Sequence, residues 1–208
     1  MGAYPELKKT IIRAISEFER IPEERKESLR KLAGYVEKQV DGRGRADLMF
    51  ICTHNSRRSH MSQIWAQVAA DHYGVDGVTT TSGGTEATAF NPRAVAALER
   101  AGFEITQKND GGNPIYFVKF DPDAEPLEAF SKVFSDAPNP TQDFCAVMTC
   151  SEADTACPSV AGAAFRISIP YDDPKAFDGS ELEAQKYDER SQQIAAEMFY
   201  LFAEVHSS

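Results

Sequence analysis

The apolar positions of this 208-residue chain fall into two successive regimes. Over residues 1–40 they recur at helical spacing. Ile11, Ile12, Ile15 and Phe18 make one stripe in "PELKKTIIRAISEFE", and Leu29, Leu32, Ala33 and Val36 make another in "IPEERKESLRKLAGYVEKQV", where Pro22 suits a first helical turn. "DGRGR" then reads as a linker. From Ala46 onward, strand and helix patterns alternate. "ADLMFIC" is predicted as a strand, "RRSHMSQIWAQVAADHYG" as a helix ended by glycine, and "GVTTTSGG" as a second strand. "NPRAVAALERAGF" is predicted as a helix with Asn91 as N-cap and Pro92 at its first position. "NPIYFVKF" and "KVFSD" read as a pair of short strands around a proline-rich, acidic loop. "FCAVMTC" and "GAAFRISIP" follow as strands, and "SELEAQKYDERSQQIAAEMFYLFAEV" closes the chain as a long helix.

Strands separated by helices imply right-handed crossovers and a parallel sheet, so the predicted class is α/β. The expected organisation is an N-terminal helical hairpin over residues 1–45 and one domain over 46–208, interrupted at about 108–140 by the inserted strand pair. The hairpin packs on that domain or serves as a partner or dimer surface.

Composition narrows the function classes. Hydrophobic residues at 42% and charged residues at 26% describe an ordinary soluble globular protein. No apolar stretch approaches the roughly 20 residues that span a membrane, and "MGAYPELKKTII" lacks the apolar core of a secretory signal, so the expected location is cytoplasmic. A net charge of −10 disfavours nucleic acid and anionic membrane as partners. A small anionic substrate therefore needs a local positive site. Four cysteines are present, and Cys145, Cys150 and Cys157 fall together in "CAVMTCSEADTAC", which favours redox chemistry or metal binding over a structural disulfide framework.

The local positive site is offered by "CTHNSRRS", placed between a predicted strand and a predicted helix. Loop amides converging on a helix N-terminus make an anion cradle. A cysteine at its base, Cys52, would have its thiolate stabilised there. Arg58 can set a planar fork against two oxygens of a tetrahedral oxyanion. Ser59 can donate its hydroxyl to the sulfur. These parts suit nucleophilic attack on the central atom of a bound oxyanion. The plainer alternative is an inert buried cysteine followed by solvated arginines.

"FICTHNSRRSHM" resembles the signature of the low-molecular-weight protein tyrosine phosphatases and of their relatives, the thioredoxin-coupled arsenate reductases. The similarity continues through "SGGTEATAFNPRAVAALERAGFEI", lapses over 108–140 and resumes through "VMTC…CPS…DDP". It implies a flavodoxin-like three-layer fold with a four-stranded parallel sheet, with residues 1–45 as an extension. It also implies Cys52 as nucleophile, Arg58 as the oxyanion-binding arginine and Ser59 as the thiolate-stabilising serine. Thr53, His54, Asn55, Ser56 and Arg57 complete the substrate-binding loop. Two letters depart from the pattern. His54 stands where glycine is usual and is expected to point outward. Arg57 stands where many relatives carry a second cysteine, and it reads equally as a local anion attractor or a solvated surface residue.

Cys150 and Cys157 lie seven residues apart. On a regular helix they would stand roughly 10.5 Å apart along the axis, beyond the approximately 7 Å between Cα atoms that a disulfide tolerates. Bonding between them would therefore require a looped or unwound segment, and "SEADTACP" suits a short, marginal helix. Resemblance to the arsenate reductase branch implies a relay in which Cys52 attacks arsenate, Cys150 attacks the Cys52 sulfur, and Cys157 resolves that bond for thioredoxin to reduce. No bound cofactor is implied, and thioredoxin enters as external reductant. A zinc site built from Cys145, Cys150, Cys157 and a histidine fits less well, because C-x4-C-x6-C is not a common zinc spacing. Cys145 is expected to be a packed core thiol.

Breaking a bond to a tetrahedral oxyanion also needs a proton donor for the leaving oxygen. In both branches that donor is an aspartate directly before proline, which selects Asp173 in "IPYDDPKAF" and leaves Asp172 as a neighbour able to tune it. The leading expectation is arsenate reduction. The alternatives are a tyrosine phosphatase working through a Cys52 phosphocysteine, and a catalytically idle anion-binding regulatory module.

Overall fold

A computed structural model describes residues 2–207 of the chain. Met1 and Ser208, which end the expected segments 1–45 and 46–208, lie outside the described residues.

The N-terminal stretch forms helix α1, Pro5–Ser16, and helix α2, Glu23–Arg43. Residues 41–43 of the expected linker are helical, and Gly44, left-handed at φ 68°, ends α2. Gly42 stays inside the helix, since glycine permits a break without imposing one, and the left-handed turn that ends it falls on Gly44. The α1 stripe is Leu7, Ile11 and Ala14, whereas Ile12 is 69% exposed. In α2, Leu29, Leu32, Ala33 and Val36 are all buried as expected. Both helices spend these stripes against the C-terminal helix α6, Glu183–Ser207.

Beyond Gly44, strand β1, Ala46–Cys52, leads through a loop into helix α3, Arg58–His72. Strand β2, Val78–Gly84, and helix α4, Pro92–Ala101, follow, and the Asn91 side chain accepts from the Arg93 amide at α4's start. After the inserted region come strand β6, Phe144–Met148, helix α5, Ser151–Ala156, and strand β7, Ala163–Ser168. The four long strands form one parallel sheet in the order β2-β1-β6-β7. Every residue of β1 and β6 is buried, the signature of central strands covered on both faces. Alternation sorts them: Leu48 and Phe50 join the large core under α3 and α6, while Met49 and Ile51 face a smaller cluster with Phe144, Ala146, Met148 and Ala153 of α5.

The inserted region differs from the expected strand pair. "NPIYFVKF" does contain strand β4, Tyr116–Lys119. Its partners are β3, Glu104–Gln107, and β5, Leu127–Ala129, in a three-stranded antiparallel sheet of order β3-β4-β5. "KVFSD" is not a strand. Val133 instead makes a single parallel bridge to Gly84, with the Gly84 amide donating to Lys132 O at 2.9 Å and the Phe134 amide to Gly84 O at 2.9 Å. This segment therefore caps the open edge of β2 rather than pairing with a hairpin partner.

Gly84 is where three segments converge. A Cβ there would lie 2.7 Å from the Asn55 amide nitrogen and 2.8 Å from Thr53 O, and closer still to Glu86 O. All three are backbone atoms that cannot swing aside. Gly84→Ala is accordingly expected to cost about 1–3 kcal/mol of stability as an overpacked site. A lowered urea midpoint at unchanged slope would confirm it, and a midpoint equal to wild type would contradict it.

Candidate active site

The loop of residues 53–57 has its carbonyls turned outward. Cys52 O accepts from the Thr85 amide at 3.2 Å and Thr53 O from the Glu86 amide at 2.8 Å. His54 O takes two hydroxyls, Ser131 Oγ and Thr88 Oγ1, each at 3.0 Å. Ser56 O accepts from the Asn91 amide at 2.8 Å. In a trans peptide the N–H points opposite to the C=O, so anchoring the carbonyls outside turns the loop amides inward. Among the described residues, the amides of residues 54–58 are matched with no protein acceptor. They join the unpaired N–H groups of α3's first turn, where Arg57 sits at the N-cap position without a side-chain cap. Asn55 adopts φ 44°, the left-handed turn that bends the loop around its centre.

Cys52 lies at the base of this loop and is 3% exposed. Its sulfur is 3.1 Å from Ser59 Oγ. Ser59 Oγ already accepts from Asn55 Nδ2 at 2.9 Å, so its own hydrogen is free to point at the sulfur. Asn55 is oriented in turn by its Oδ1, which accepts from the Lys132 amide at 2.9 Å. The inserted region thus reaches the Cys52 sulfur through three hydrogen bonds in series. The Lys132 ammonium is buried, and burial pushes its pKa down to about 8. His60, fully buried against Phe90, is held well below the usual imidazole range by burial and then by Lys132.

Arg58 spans the mouth. One terminal nitrogen donates to Tyr171 O at 2.9 Å and the other to Asp173 Oδ2 at 3.0 Å. Asp173 caps the turn Pro174–Phe177 through its Oδ1, which accepts from the Lys175 amide at 3.0 Å. Asp172 points to solvent at 97% exposure, 3.4 Å from Arg190. Glu152, at the start of α5, is 3.8 Å from Arg58. A hydrogen bond to its own backbone amide, with Arg58 adding, holds its carboxyl below the usual range.

Arg57 is not solvated. Its side chain is 10% exposed, its Nε donates to Tyr187 Oη at 3.0 Å, and its terminal nitrogens lie 3.8 Å from Asp173 and 3.9 Å from Asp178. Tyr187 Oη donates onward to Asp178 at 2.8 Å, and burial pushes its phenol up to about 12. His54 faces outward as expected, 45% exposed and 3.8 Å from Glu86.

Cys150 is fully buried, and its sulfur lies 3.5 Å from Thr53 Oγ1, one residue beyond Cys52. It also accepts from the Ala153 amide at 3.4 Å, acting as the N-cap of α5. Cys157 is half-buried at the other end of that helix, so the two cysteines flank α5 as free thiols. Cys52, Cys150 and Cys157 belong to one packed cluster with Ala153 and Val160. Arg166 of β7 ties the helix down, donating to Cys157 O at 3.0 Å and to Asp154 O at 2.8 Å. Cys145 is a core thiol on the opposite face, pushed up by burial. Among the described residues, no three His, Cys, Asp or Glu side chains gather closely enough to hold a metal ion.

Of the side chains singled out in the sequence, the structure brings Cys52, Ser59, Arg58 and Asp173 to one loop mouth, sets Cys150 beside Thr53 and leaves Cys157 at the far end of α5. Sequence reasoning missed the residues that hold them: Gly84, Ser131, Lys132, Tyr171, Asp178 and Tyr187. Only Gly84 carried a local signal, the glycine doublet ending "TTTSGG".

Comparison with known proteins agrees with this geometry. Residues 47–121 match the family model "Low molecular weight phosphotyrosine protein phosphatase". An arsenate reductase of Bacillus cereus is 31% identical over 137 residues, which cover 65% of this chain and 82% of that protein. One from Bacillus licheniformis is 29% identical over 157 residues, covering 76% and 94%. In fold, the chain is similar to the crystal structure of a YwlE mutant from Bacillus subtilis, with a TM-score of 0.52 at 16% identity, covering 76% of this chain and 97% of that one. The chain belongs to the low-molecular-weight protein tyrosine phosphatase superfamily, the cysteine-based phosphatase and arsenate reductase family, close to the arsenate reductases.

Proposed function

We propose that this chain reduces arsenate to arsenite through a three-cysteine relay. The observation that carries the reading is Cys150. A second thiol is buried 3.5 Å from Thr53, beside the nucleophile, at the N-cap of a helix of only six residues. Hydrolysis of a phosphate ester has no use for it.

In this reading the loop amides and the Arg58 fork hold arsenate over Cys52. The Cys52 thiolate, steadied by Ser59, attacks arsenic, and Asp173 supplies the proton on which one oxygen leaves. The Cys150 thiolate then attacks the Cys52 sulfur. The sulfur–arsenic bond breaks, its electron pair stays on arsenic, and arsenite departs while Cys52 and Cys150 become a disulfide. Cys157 attacks Cys150, restoring the Cys52 thiolate and leaving a Cys150–Cys157 disulfide. An external dithiol such as thioredoxin returns the two electrons. Because α5 separates Cys150 from Cys157, the last exchange requires that helix to unwind and Arg166 to release it.

A second reading rests on Asp173. Its carboxylate sits on Arg58, where it could serve the leaving oxygen of a phosphomonoester, and Cys52 would then form a phosphocysteine. The two readings part at Cys157. With thioredoxin as reductant, Cys157→Ser is expected to lose multiple-turnover arsenite production and to retain hydrolysis of p-nitrophenyl phosphate at the wild-type level. Undiminished arsenite production in that variant would contradict the relay. Wild-type behaviour of Cys52→Ser in both assays would instead favour an idle anion-binding module.

A further inference from the structure

The first turn of helix α2 reaches the segment that anchors Arg58. Arg25, in its first turn, pairs with Glu197 of α6 at 2.8 Å, the two side chains being 16% and 3% exposed. The same guanidinium lies over the Tyr171 ring, 4.7 Å from its centroid. Tyr171 is buried, and its amide donates to Thr149 O at 3.1 Å. Its carbonyl is one acceptor of Arg58, and Asp173, two residues on, is the other. Residues 171–173 belong to no strand or helix. Stacking of the Tyr171 ring on a largely enclosed cation therefore restrains the segment from which both anchors of Arg58 hang, beside the Tyr171 amide bond and the Asp173 cap.

We propose that Arg25 is a positioning residue of the oxyanion site, holding Tyr171 against Glu197 so that Arg58 presents its fork to the anion. The proposal rests on reading the 52–59 loop as an oxyanion site. A long guanidinium side chain without a fixed acceptor regains rotamer freedom, and binding must then remove it again. Loss of Arg25 should thus weaken anion capture even in a folded protein. Helix α2 would be part of the site rather than an appendage to it.

The test is calorimetric titration of the reduced full-length chain with inorganic orthophosphate, read beside the melting temperature. Arg25→Met is expected to bind orthophosphate about tenfold more weakly, as displaced supporting residues do. Arg25→Lys, which keeps the charge, should recover part of that loss. Leu29→Ala, a buried packing change in the same helix, should lower the melting temperature while leaving affinity within about twofold. If Arg25→Met does not fold, Arg25→Met/Glu197→Gln removes both charges together and carries the measurement. Affinity that is unchanged in the folded Arg25 variant, or that falls in Leu29→Ala in step with stability, overturns the inference. A wild-type chain that binds no orthophosphate overturns the reading of the loop itself, and the positioning role with it.

Discussion

Everything in this molecule's chemistry depends on where four carbonyl groups are not. The loop after β1 is short, and its peptide planes can face the centre with either oxygen or nitrogen. Hydrogen bonds from the 85–91 segment and from Ser131 fix the oxygens outside. An oxyanion can be held only because of that choice, since inward carbonyls would repel it. The parallel sheet makes the choice available. β1 and β2 run in register to Cys52 and Gly84, so both strands end at the same height and deliver their following loops side by side. Ligands in open α/β sheets lie outside the carboxyl ends of the strands for this reason.

The positive site also has to survive a net charge of −10. Arg57 and Arg58 are buried and face carboxylates from two neighbouring regions: Asp173 and Asp178 around the turn Pro174–Phe177 and, more loosely, Glu152 of α5. Those carboxylates compensate the desolvated guanidiniums while no anion is bound. They also fix the direction of each fork. Arg57, where many relatives have a cysteine, is devoted to Tyr187 and Asp178 rather than to open solvent. The loop's two departures from the familiar pattern therefore behave differently: one is built into the wall, and the other, His54, lies at the rim beside Glu86.

Legibility followed the range of the interactions. Continuous apolar runs identified β1 and β6, because a strand buried on both faces leaves no polar letter. Asn91 and Pro92 identified the start of α4 because a cap is a local bond. The "CTHNSRRS" spacing put Cys52 and Arg58 on one loop because the end of β1 and the start of α3 place them. By contrast, Ser131 and Lys132 act on residues 77 positions earlier, and Tyr171 lies 113 positions from Arg58. No periodicity reports such pairings. "KVFSD" looked like a strand for its apolar pair, yet those residues cap a sheet edge. β5 was hidden because only three residues carry it. Asp173 was chosen over Asp172 by resemblance alone, and geometry now separates them: one carboxylate faces Arg58, and the other faces water.

In the proposed relay, Cys150 is the thiol that meets Cys52. That role is tested most directly by treating Cys157→Ser with arsenate without external reductant and mapping disulfides by mass spectrometry of the digested protein. A Cys52–Cys150 linkage, formed in step with one equivalent of arsenite, is the predicted result. Arsenite release with Cys150 still a free thiol would contradict it.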